Sequence, residues 1–205
     1  MADGSQIELL KWGISIIIPA ISGLCGVAVG AFLTSRREKM KRKHQFIAKQ
    51  LTDFYSPLLA IRKELKTSGE LRLRISGAAD SEWRKLCSRY EGHPEELRKL
   101  SDTRGDKFNK IIDYNNEMLK NETIPAYHRM VEIIRNNMWL AEKSTIQHFP
   151  ALIEYVEIWD RFMADTLPGE VVMALGHTEE SLHPLYEDLQ QRHDELREKL
   201  AEGKP

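Results

Sequence analysis

WGISIIIPAISGLCGVAVGAFLTS, residues 12–35, runs directly into RREKMKRK, residues 36–43, and the architecture turns on this junction. The first stretch holds 24 residues without a charge, among them Ile14, Ile16, Ile17, Ile18, Ile21, Leu24, Val27, Val29, Phe32 and Leu33. As a helix it measures about 36 Å, enough for a hydrocarbon core of about 30 Å with some tilt. Its apolar residues cover every face and not a stripe, which argues against a buried core helix. A cleaved signal peptide is the stronger competitor, since Ala28-Val29-Gly30-Ala31 offers small residues. The flanks oppose it: Asp3 and Glu8 precede a long apolar core, and the basic cluster follows it.

Arg36, Arg37, Lys39, Lys41, Arg42 and Lys43 stand against only Lys11 on the other flank. Positive charge is retained on the cytoplasmic side, so the expectation is an extracytoplasmic N-terminus and a cytoplasmic remainder. Anionic lipid headgroups attract such residues by on the order of 1 kcal/mol each. The same electrostatics serve topology alone, and the sequence leaves lipid specificity open.

Within the apolar stretch Ser22, Gly26 and Gly30 recur every fourth residue and share one face, where another helix backbone can approach closely. The face serves a second copy or a different membrane protein, or it has no packing role, since glycine is frequent in membrane helices. Pro19 leaves the carbonyl of Ser15 without its donor and predicts a kink. No ionisable side chain lies between Trp12 and Ser35 to carry a proton or ion path.

The charge of the whole chain, −1, averages unlike parts. Residues 36–43 carry six Lys/Arg against Glu38, whereas the region after them is acidic. That balance is the reverse of a phosphate-binding footprint, so nucleic acid is not an expected partner. Cys25 lies in the apolar stretch and Cys87 beyond it, with no CxxC pair. A reducing compartment fits, and Cys87 reads as a partly buried small apolar residue.

Beyond the basic cluster Ile47, Leu51, Phe54, Leu58, Ile61 and Leu65 alternate spacings of four and three. This seam reads as a continuous helix kinked at Pro57 that keeps its register, either a dimerising stalk or, as favoured by bulky Phe54 and Tyr55, one member of a bundle. Thr67 to Gly77 reads as a connection or a short strand, because Leu71, Leu73 and Ile75 alternate with Arg72 and Arg74. Asp80-Ser81 then reads as a cap for a helix carrying Trp83, Leu86 and Tyr90, and Ser101 to Asp106 as a loop. Further helices are predicted over 107–120, 125–140, 150–166 and 179–201, with Trp83, Trp139 and Trp159 in the core.

The expected fold is therefore all-α: one N-terminal transmembrane helix followed by a cytoplasmic antiparallel helical bundle. In domain terms the segments are a short extracytoplasmic N-terminus (1–11), the span (12–35), the basic juxtamembrane segment (36–45) and the bundle (46–205).

Chemistry is sparse. Glu180-x-x-His183 has the spacing of a diiron motif but lacks the second copy such sites need. His177 and His183 with Glu179 and Glu187 have no HExxH or CxxC context for zinc, and the first-turn Glu180 complements a helix dipole. His128 and Glu132 sit four apart, a spacing shared by a general base with its orienter and by an ordinary solvated pair. No GxSxG, Walker or dinucleotide-binding pattern occurs, so neither a catalytic residue nor a metal or cofactor is assigned. Beside a membrane-bound hydrolase or metal enzyme, which bound metal in the purified protein would reveal, two functional classes remain. One is a self-associating, membrane-tethered, non-enzymatic scaffold with lipid and protein partners; the other is a membrane effector whose oligomerised N-terminal helices perturb the bilayer on a signal sensed by the bundle.

Overall fold

The computed structural model describes residues 30–203. Among these there are helices and turns but no strand. Ser22, Gly26 and all of the expected span before Gly30 lie outside the described residues. The chain divides into two compact units, one of residues 1–48 with 199–205 and one of residues 49–198.

In the first unit, residues 30–48 belong to helix α1 (30–50), whose first half is exposed on every side. No helix among the described residues is long and apolar enough to cross a membrane.

The second unit is a helical bundle. A wide π-helical turn, Leu51–Tyr55, leads into the 33-residue α2 (Ser56–Ser88), about 50 Å long. After the Gly92 turn come α3 (Pro94–Leu100), a second wide turn (Ser101–Gly105), α4 (Asp106–Met118), a third (Leu119–Thr123) and α5 (Ile124–Asn136). Short α6 (Lys143–Ile146) precedes α7 (Phe149–Met163), then α8 (Gly169–Ala174) and α9 (His183–Ala201).

Two of the wide turns have a common cause. Pro57 and Pro125 each stand two residues beyond a π turn, and in each the residue before the proline donates its N–H five residues back, Ser56 to Leu51 and Ile124 to Leu119. A proline ring collides with the carbonyl four residues earlier and cannot bond to it. The extra residue in the turn moves that carbonyl aside, so the helix continues where a proline would otherwise kink or end it. The Ser101–Gly105 turn has no proline after it, and no feature of its sequence explains it.

The heptad seam belongs to the bundle. Leu51, Phe54, Tyr55, Leu58 and Leu65 are buried, together with Ile124, Tyr127, Met130, Ile134, Leu152, Tyr155, Val156, Leu182, Leu185, Leu189 and Leu196. α5 packs along α7, and α2 packs on both α4 and α5.

Several expectations need correction. Thr67 to Gly77 is neither connection nor strand but the middle of α2. Leu71 and Ile75, one helical turn apart, flank a groove shared with α4, so the alternation with Arg72 and Arg74 coincides with a helical pair. Asp80 caps nothing and instead pairs with Arg84 at 2.6 Å along the same helix. The Ser101 to Asp106 loop is a helical turn. The tryptophans are not core residues: Trp139 is 58% exposed with the Lys49 ammonium 5.1 Å over its ring, and Trp83 and Trp159 are half-buried.

Candidate functional site

Of the residues singled out by the sequence, Gly30 and the six cations lie on α1. Gly30 begins the described helix, and a Cβ built there meets nothing within 4 Å, so its face is open to another helix. Arg36, Arg37, Lys39, Lys41, Arg42 and Lys43 are all exposed. At about 100° per residue they do not gather on one side but encircle the axis. Arg42 bonds Glu38 at 3.1 Å, one turn earlier on the helix surface. Phe32 and Leu33, just before the charges, are 66% and 50% exposed. The helix thus passes from exposed apolar side chains to a ring of exposed cations within two turns.

Inside the second unit the structure assembles polar groups that sequence reasoning did not bring together. Glu179, in the 3-10 turn Glu179–Leu182 before α9, accepts three hydrogen bonds at Oε1: from Arg62 of α2 at 2.8 Å, from the Tyr127 hydroxyl of α5 at 2.9 Å and from the Tyr186 hydroxyl of α9 at 3.4 Å. The Arg62 guanidinium also lies 3.9 Å from the centre of the Tyr186 ring. Tyr155 packs on Tyr127 at 4.9 Å and on His177 at 4.5 Å, while Trp159 meets His177 edge-on at 5.4 Å.

Burial raises the Tyr127 phenol far above its ordinary value, with the neighbouring Tyr186 and Tyr155 adding to the shift. Burial likewise raises Tyr155 and Tyr186. These hydroxyls stay protonated, and those of Tyr127 and Tyr186 donate to Glu179. The His177 imidazole is shifted the other way, below its ordinary value, because burial penalises its cation more than Glu154 favours it. Its Nε2 is buried without a hydrogen-bond partner.

A second network pins the segment between α5 and α7. The Tyr55 hydroxyl accepts from the Glu142 amide at 3.0 Å and lies 3.1 Å from Thr145 Oγ1, which in turn bonds Asp188 of α9. Gln50 donates to the Leu140 carbonyl at 2.7 Å, and Arg192 to Ser144 Oγ at 3.1 Å. Each network joins elements far apart in sequence through satisfied polar groups, which fixes which helix lies beside which.

Neither network is a catalytic constellation. Glu179 is already held by the Arg62 guanidinium and two tyrosine hydroxyls. Glu180 and His183 are exposed, and among the described residues no three His, Cys, Asp or Glu side chains form a group that could hold a metal. His128 bonds Asp160 of α7 at 2.9 Å, so the pairing within one helix suggested by Glu132 gives way to a contact between helices. Cys87 is a free, partly buried thiol. No periodic signal relates Arg62 to Glu179, 117 residues apart, and this is why the cluster escaped sequence reasoning.

Comparison with protein-family models, with curated proteins and with solved structures gave no match.

Proposed function

We propose that this chain is a membrane-tethered, non-enzymatic interaction protein: residues 12–35 span the bilayer and the helical bundle is held at its cytoplasmic face. What carries the reading is the distribution of charge on α1, where six exposed cations encircle the helix immediately after exposed Phe32 and Leu33. A helix lying flat on a membrane segregates its cations from its apolar side chains, whereas one that passes through the headgroups meets anionic lipid on every side. A ring of cations suits the second geometry. Gly30, with open space around it, leaves room for a neighbouring helix in the membrane, either a second copy or another protein. The bundle, held together by buried apolar side chains and closed polar networks, supports a role in presenting surfaces and not in turning over a substrate. Tethering raises the local concentration of whatever those surfaces bind.

The test is fractionation of the full chain. The expected result is a membrane pellet that resists alkaline extraction and releases the chain only to detergent, together with a bundle that survives protease added outside intact cells. Recovery in the soluble fraction without detergent, or digestion of the bundle from outside, overturns the proposal.

A further inference from the structure

The bundle carries two exposed surfaces of complementary chemistry, and we propose that they join one copy of the chain to the next. The first is a groove of about 400 Å³ between α2 and α4, lined by Leu71, Ile75, Ile111, Tyr114 and Met118 with Arg72 and Lys110 at its edges. Leu71, Ile75 and Tyr114 are 47%, 44% and 60% exposed. Arg72 is steadied by a 2.8 Å bond to the Thr123 hydroxyl, and Asn115 bonds Ser76 across the groove at 3.0 Å. No carboxylate lines it: Asp113 and Glu117, on the same α4, are not among its lining residues. Its chemistry is an apolar floor with cations at the rim.

The second surface is α8 and the turns that present it. Val171, Met173 and Leu175 are 41%, 75% and 57% exposed, and Glu170 beside them is exposed as well. No Lys or Arg occurs from Phe162 to His177, whereas Asp165 and Glu170 in that stretch are exposed. Left-handed backbone at Asp165 (φ 54°) and Gly176 (φ 62°) turns the chain sharply on either side of α8. A short apolar knob with acidic flanks results.

Exposed apolar clusters of this kind mark contact surfaces. A knob with carboxylates fits a groove with cations, and the match identifies the occupant as a second copy: α8 of one chain seats in the α2/α4 groove of its neighbour, with Glu170 facing Lys110 and Arg72. Such a contact is head-to-tail, because each copy offers a knob and a groove that are different surfaces, and repetition closes a ring or builds an open row.

Disulfide trapping reads such a contact whether or not the chain is in a membrane, so its outcome is separate from that of fractionation. In full-length chain with Cys25→Ser and Cys87→Ser, one copy carries Tyr114→Cys and a co-expressed copy carries Met173→Cys. Both positions are exposed, so the substitutions leave the packing intact. Mild oxidation is expected to yield at least about tenfold more of the mixed dimer than a control pairing Met173→Cys with Leu73→Cys, which is 75% exposed on α2 but outside the groove. Glu170→Lys on the knob chain should lower the yield several-fold, and Lys110→Glu on the groove chain should restore it. Equal trapping at positions 114 and 73, no recovery by the paired charge reversal, or trapping of Met173→Cys on another protein in place of the second copy overturns the proposal.

Discussion

Glu179 ties three helices together, because a single carboxylate oxygen serves donors from α2, α5 and α9. Replacing it by alanine leaves the Arg62 cation and the Tyr127 hydroxyl, both largely buried, without their acceptor. Hydrogen bonds to charged groups contribute about 1.5–3 kcal/mol, and the orphaned donors add a desolvation cost. Glu179→Ala should therefore destabilise the bundle by roughly 2–3 kcal/mol in denaturant unfolding. Glu157→Ala, which breaks an exposed pair with Arg161 at 2.8 Å, should cost no more than about 0.5 kcal/mol. Equal losses from the two would show that Glu179 acts as an ordinary surface charge. His177 gives the same region a pH dependence whose sign follows from its burial. Its folded pKa lies below the ordinary 6.5, so between the two values the unfolded chain binds the extra proton. The stabilisation is complete above about pH 6.5 and is lost as pH falls through that value toward the folded pKa. Melting temperature should accordingly decline on acidification through this window in the native chain, and His177→Phe should reduce the slope; an unchanged slope would remove His177 as its source.

At the scale of elements, the helices that carry a broad apolar face were legible in the sequence, and those without one were not. Helices predicted over 107–120 and 150–166 are found as Asp106–Met118 and Phe149–Met163, because Ile111 with Met118, and Leu152 with Val156, repeat at helical spacing. The middle of α2, Thr67 to Gly77, escaped because Gly69 and Gly77 read as breaks and Leu71, Leu73 and Ile75 alternate with arginines. Both glycines lie in open helix where a Cβ would meet nothing within 4 Å. They weaken the helix slightly without ending it, and pairing with α4 holds them in place. The prolines were legible only in part. Continuity across Pro57 follows from the seam's register, but the π turn that permits it depends on backbone geometry that residue spacing does not encode. The candidate site divides in the same way: a run of like charge is local and visible in the sequence, whereas Arg62, Tyr127, Glu179 and Tyr186 become neighbours only after the bundle has formed.

Across residues 49–198 stability is unevenly distributed. From residue 66 to residue 123 the only buried residue is Leu100, and the seam between α2 and α3–α4 is completed by half-buried contacts such as Trp83 against Phe108 at 5.1 Å. From Ile124 onward buried residues recur along α5, α7 and α9, and both polar networks draw on this part. Opening a segment costs about what its own buried surface and bonded polar groups contribute, so a region with one buried side chain opens long before the whole unfolds. Amide hydrogen exchange under native conditions should report this directly. Amides of 66–123 are expected to exchange through local opening, at a free energy well below that of amides in α5 and α9, and with little sensitivity to low denaturant. The difference bears on the proposed contact between copies, since the α2/α4 groove lies in the weaker part while α8 is joined to the stronger. Seating α8 of a neighbour in the groove would add apolar burial where it is scarcest, so protection in 66–123 should rise with protein concentration while that of α5 and α9 stays constant. Uniform protection across all helices at every concentration would contradict both the uneven stability and its coupling to association.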